Sequence, residues 1–60
     1  MPKVKIFEDH NSFYLEKDIN NFIQDKKVLN ISYNVYMCGY STYYSACVLY
    51  EDYEGREQNG

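Results

Sequence analysis

Val28-Leu29-Asn30-Ile31-Ser32-Tyr33-Asn34-Val35-Tyr36-Met37-Cys38-Gly39-Tyr40-Ser41-Thr42-Tyr43-Tyr44-Ser45-Ala46-Cys47-Val48-Leu49-Tyr50 is the stretch that decides the fold. Its first half has a period of two. Leu29, Ile31, Tyr33, Val35 and Met37 fall on one face, and Asn30, Ser32, Asn34, Tyr36 and Cys38 on the other. The second half repeats the pattern, with Tyr44, Ala46, Val48 and Tyr50 against Tyr43, Ser45, Cys47 and Leu49. Gly39-Tyr40 lies between them. A glycine first in a two-residue loop signals a type II′ hairpin. With Cys38 paired to Ser41, Tyr36 meets Tyr43, Val35 meets Tyr44, Tyr33 meets Ala46 and Ile31 meets Val48. Every pair then joins residues of one face, and a slip by one residue would mix the faces. A longer loop that takes in Tyr40 and Ser41 is the alternative.

Moving towards the N-terminus, the period changes. Leu15, Ile19, Phe22 and Ile23 recur at helical spacing, while Glu16, Lys17, Asp18, Asn20, Asn21 and Gln24 fill the rest of the circumference. This predicts a helix from Phe13 to about Asp25, with Asn11 or Ser12 as its N-cap. Acids lie early in the stretch and Lys26 and Lys27 late, the order that the helix dipole favours. Before it, Lys3-Val4-Lys5-Ile6-Phe7 alternates as a short strand with Val4 and Ile6 expected towards the core. The order is β-α-β-β, an α+β domain over residues 1–51 with one helix packed on a three-stranded sheet. The helix is expected to cover Val4, Ile6, Ile31, Val35, Ala46 and Val48. The place of the first strand in the sheet is left open. Residues 52–60 read as a flexible acidic tail.

Sixty residues make a small domain, which buries only about 60% of the surface its unfolded chain exposes. Such domains need a staple: disulfides, a metal or another chain. Two cysteines, Cys38 and Cys47, give no disulfide framework. In the hairpin register Cys47 lies opposite Ser32, roughly 20 Å along the strand from Cys38 at about 3.3 Å per residue. A bridge needs Cα atoms within about 7 Å, so no internal disulfide is expected. One histidine and two isolated cysteines lack the paired spacings of a zinc site, and no cofactor is expected. Met1-Pro2-Lys3-Val4-Lys5 is followed by no long apolar run, so no leader and a reduced cytoplasmic setting are expected. Association is the remaining staple.

Residues 28–50 contain no Asp, Glu, Lys, Arg or His. An open sheet face normally carries charge. Charge depletion with tyrosine enrichment is instead the composition of an interface core. Ser32, Asn34, Tyr36, Tyr40, Tyr43, Ser45 and Cys47 are therefore the candidate interaction residues, with a two-fold contact between the sheets of two copies as the simplest arrangement. The two cysteines also read as small half-buried fillers, and a tolerably wet polar surface is the plainer account of the whole face.

Other functions find little support. The net charge of −3 and a single basic pair, Lys26-Lys27, do not suit a nucleic-acid backbone. The alternation with asparagine, serine and a glycine turn does not suit a membrane span. His10 is alone in a polar loop, no serine has a base beside it in the sequence, and Glu8 and Asp9 diverge on extended chain. No catalytic residue is expected. The five tyrosines from Tyr33 to Tyr44 offer stacking surfaces for a nucleotide, a second candidate ligand, although the hairpin supplies no cation for its phosphates.

Lys3-Val4-Lys5-Ile6-Phe7-Glu8, Leu15-Glu16 with Ile19-Asn20-Asn21-Phe22, Asn30-Ile31-Ser32-Tyr33, and Ser45-Ala46 followed by Val48-Leu49-Tyr50 resemble the small acidic sporulation-compartment proteins of Bacillus, which have relatives in Bacillus phages. The resemblance covers residues 3–51 and rests on pattern residues, with no catalytic residue to carry over. It implies a Gram-positive cytosol or a phage that infects it. By analogy with small phage proteins it implies an inhibitor docked on a host anti-phage defence protein. A sponge for a nucleotide immune signal and an accessory structural protein of sporulation are its alternatives.

Overall fold

The computed structural model describes residues 1–53. Strand β1 (Lys3–Asp9) leads into helix α1 (Ser12–Phe22), a 3-10 turn (Ile23–Asp25), and the long strands β2 (Lys26–Cys38) and β3 (Ser41–Asp52). The three strands form one antiparallel sheet in the order β1-β3-β2, with the helix packed on one side. This is the α+β arrangement read from the sequence. β3 runs on through Asp52, past the boundary expected at residue 51. Most of the expected tail, residues 54–60, lies outside the described residues.

The hairpin has the anticipated register. Cys38 pairs with Ser41, Tyr36 with Tyr43, Tyr33 with Ala46 and Ile31 with Val48. Gly39 turns the chain with φ of 65°, a left-handed value that only glycine takes without a steric penalty, while no other described residue has positive φ. That combination belongs to the type II′ turn. Further back, a bulge falls between Val28 and Asn30, and Leu29 is the extra residue. Bulges bend the strand that carries them and disturb pairing locally.

Asn11 caps the helix, its side-chain oxygen accepting from the backbone N–H of Phe13 at 2.8 Å and of Tyr14 at 3.4 Å. The helix closes at Phe22, short of the expected Asp25, and the chain tightens into the 3-10 turn. Lys26 and Lys27 therefore sit at the start of β2, and the last helical turn holds no basic residue and the first no acidic one. The dipole pattern read from the sequence does not exist in the fold. Lys26 and Lys27 instead meet acids on β3: Lys26 Nζ is 3.9 Å from Asp52 and Lys27 Nζ 4.0 Å from Glu51, while Lys3 Nζ of β1 reaches Asp52 at 2.7 Å.

Two expectations about the core are corrected. Val4 and Ile6 pair with Leu49 and Cys47 and point away from the helix, 56% and 70% exposed. Lys5 and Phe7 take the helix side, opposite Val48 and Ala46. The reason lies in ring packing. Phe22 on the helix meets Phe7 edge-on at 5.6 Å between centroids and Tyr50 at 5.0 Å. The small Ala46 opposite Phe7 leaves room for that cluster. Lys5 lays its stem alongside, with Nζ 5.8 Å from the Phe7 centroid, and Lys26 Nζ lies 5.1 Å from that of Phe22. The half-buried ring cluster of Phe7, Phe22 and Tyr50, with the Lys5 ammonium over it, outweighs the placement of two aliphatic side chains.

The second correction concerns the reach of the helix. It lies over β1 and β3, and β2 is left beside it. Ile31 and Val35, expected beneath the helix, are exposed, as are Tyr33 and Met37. A hollow of about 280 Å³ opens between Leu15 and Ile19 of the helix and Tyr33 of β2. Among the described residues, Leu15, Ala46 and Val48 are the buried apolar side chains.

Candidate functional site

The reverse face of the sheet collects the candidate residues. Hairpin pairing brings Asn34 opposite Ser45, Ser32 opposite Cys47 and Tyr36 opposite Tyr43. All six point away from the helix, because each strand alternates and Ala46 and Val48 occupy the helix side. Tyr40 is separate. It stands at the tip of the turn, fully open to solvent.

β1 adds residues that the sequence reading had not placed there. Its pairing sets Ile6 beside Cys47, Val4 beside Leu49 and Glu8 beside Ser45. The face thus has an apolar half (Val4, Ile6, Cys47, Leu49) and an aromatic end. A shallow hollow of about 270 Å³ lies at the middle, lined by Ile6, Ser32, Asn34, Ser45 and Cys47 among others. The signal in the sequence was the parity of Phe7: had it been given the core position, Val4, Ile6 and Glu8 would have followed to the reverse face.

At the aromatic end the rings of Tyr36 and Tyr43 stack, with centroids 5.1 Å apart and planes 17° from parallel. The His10 ring is tilted against that of Tyr43, with centroids 4.3 Å apart. The Tyr36 hydroxyl donates to the Glu8 carboxylate. This hydrogen bond holds the phenol proton, and the Tyr36 pKa is pushed up to about 12 by it, with desolvation and the Glu8 charge acting in the same direction. A phenol whose folded pKa is raised stabilises the fold fully below its unfolded value of about 10, and that contribution disappears as pH rises through about 12. In Glu8→Gln, tyrosinate absorbance is expected to show one phenol titrating lower than in the parent, towards 10. An unchanged titration would mean that Glu8 does not hold the proton.

The face is poor in chemistry. Cys38 and Cys47 are free thiols. Among the described residues, no group of three His, Cys, Asp or Glu side chains is gathered closely enough to hold a metal ion. No described helix is long and apolar enough to cross a membrane. What the arrangement offers is contact area: aliphatic side chains at β1, short hydrogen-bonding side chains at the centre, and a rigid tyrosine stack at one end.

The fold and this surface define the chain as a small α+β domain with one half-covered sheet. No family model, no curated protein and no solved structure matches it.

Proposed function

We propose that the chain is a small non-catalytic binding protein that works as a homo-oligomer and masks a protein partner with the reverse face of its sheet. The observation that carries this reading is the exposure of Val4 and Ile6 on a sheet face to which residues 28–50 of the hairpin contribute no charge, the Lys27–Glu51 pair lying at its far end. Contiguous apolar surface rimmed by polar groups marks an interaction site in a soluble domain. The stacked tyrosines add large, rigid contact area with hydroxyls for hydrogen bonding.

The partner we favour is a bacterial anti-phage defence protein, with the chain acting as a phage-encoded inhibitor in the host cytosol. This choice rests on the resemblance to the sporulation-compartment proteins and their phage relatives. Sequestration of a nucleotide signal draws less support. Tyr36 and Tyr43 stack on one another instead of standing apart for a base, and Glu8 sets a carboxylate where phosphates would approach. An accessory role in sporulation would use the same surface, and expression confined to sporulating cells would favour it.

The test is functional. Produced in a bacterium that carries a defence system, the chain is expected to restore plating of a restricted phage. Ile6→Glu is expected to remove that effect while leaving the circular dichroism unchanged, because a charge is introduced at the centre of the docking face and away from the core. Equal protection by parent and variant would contradict the assignment of this face. No protection against any system would contradict the inhibitor reading.

A further inference from the structure

Strand β2 is an open edge, and we infer that it pairs antiparallel with β2 of a second copy to give one continuous six-stranded sheet. The inference rests on the reading of the chain as an oligomer and names the surface that joins its copies.

The backbone provides the first reason. A two-residue turn closes on a hydrogen-bonded Cys38–Ser41 pair. Antiparallel pairs alternate, so every second residue back along β2 bonds inward to β3. The N–H and C=O groups of Ile31, Tyr33, Val35 and Met37 then point off the sheet. None is proline, and the segment from Asn30 to Cys38 is free of the bulge and of charge.

The two edges of the sheet differ in how far charge protects them against pairing. β1 carries Lys3, Lys5, Glu8 and Asp9 over seven residues. Charges of this kind protect an edge against pairing. β2 keeps its two lysines at its first two positions and is bare beyond them. One edge is guarded and the other is not.

β2 is also complementary to itself. A two-fold axis at Asn34 overlaps the whole bulge-free segment. It sets Tyr33 against Val35 of the second copy and Ile31 against Met37, both on the helix side, and brings the two Asn34 amides together on the reverse side. Aromatic with β-branched and apolar with apolar are favourable cross-strand pairs. No like charges meet, because Lys26 and Lys27 fall beyond the end of the opposing strand. Ile31, Tyr33, Val35 and Met37, the apolar side chains of the overlapped segment, are between 43% and 71% exposed, so pairing covers a strip that the fold itself leaves open. Pairing at this edge leaves the reverse faces of both copies open and adjacent, so a bound partner would meet a doubled surface.

Val35→Pro removes one outward N–H and no bond to β3. By light scattering on the full chain, the parent is expected at twice 7.2 kDa and the variant at 7.2 kDa, with circular dichroism retained. Amide exchange on the parent gives a second readout that needs no variant. Ile31, Tyr33, Val35 and Met37 are expected to be protected, while the outward amides of Val4, Ile6 and Glu8 on β1 exchange fast. A dimeric Val35→Pro, or β2 edge amides that exchange as fast as those of β1, would overturn the pairing. If the parent is dimeric and Ile6→Glu splits it while Val35→Pro does not, the edge inference falls and the oligomer reading stands. A parent that is monomeric throughout removes both.

Discussion

Leu15→Ala is expected to remove a large part of the chain's folding stability at 25 °C. Leu15 is 3% exposed and is the helix residue that anchors the core, above Ala46 and Val48 at 4% and 0%. Truncating a buried leucine costs about 2–5 kcal/mol, part of it for the cavity left behind. A chain of this length has roughly 3–9 kcal/mol of stability in total at ~0.05–0.15 kcal/mol per residue. Few other side chains are buried to compensate. Ile6→Ala is the control. Ile6 is as apolar as Leu15 but lies on the reverse face, and its loss is expected to change folding stability by about 0.5 kcal/mol or less. Urea titrations followed by far-ultraviolet circular dichroism measure both. Equal losses at Leu15 and Ile6 would contradict the parity assigned to β1.

The second large effect is a dependence of thermal stability on concentration. A domain with so small a core gains stability when its copies associate, and that gain follows mass action. Hundredfold dilution removes about 2.7 kcal/mol per dimer, which for a domain of this size lowers Tm on the order of 10 °C. Scanning fluorimetry of the tyrosines across that range reads the shift. A Tm that stays constant on dilution would mean that the monomer carries its own stability, and the exposed apolar side chains of β2 would need another explanation.

The hairpin was legible in the sequence because its information is redundant. Both strands alternate, Gly39 fixes the turn, and a slip by one residue would take Ile31, Tyr33 and Val35 away from residues of their own face. The helix stripe of Leu15, Ile19 and Phe22 was legible for the same reason. β1 was not. Lys3-Val4-Lys5-Ile6-Phe7 offers two aliphatic residues on one parity and one phenylalanine on the other, and local pattern cannot weigh them. The decision is made by tertiary partners, the Phe22 ring and the small Ala46, which lie far away in sequence. The reach of the helix was hidden as well. A helical stripe says which side of the helix is apolar but not which strands it covers. With the helix over β1 and β3, the Ile31 to Met37 stripe reads as core in one dimension and as open surface in three. The end of α1 is masked in the sequence because Ile23 continues the apolar period into a turn that is already 3-10.

These misplacements bear on function. Each moves apolar surface from the expected core to the outside: Val4 and Ile6 to the reverse face, Ile31 and Val35 to the uncovered strip beside the helix. The candidate site is therefore more apolar than the residues Ser32, Asn34, Tyr36, Tyr43, Ser45 and Cys47 alone would make it. The claim that a second copy covers β2 is most directly tested by sedimentation equilibrium of the full chain from micromolar to millimolar concentration. The account expects a mass that rises from 7.2 kDa to at least twice that value. A mass of 7.2 kDa across the whole range, with the chain folded, would contradict it.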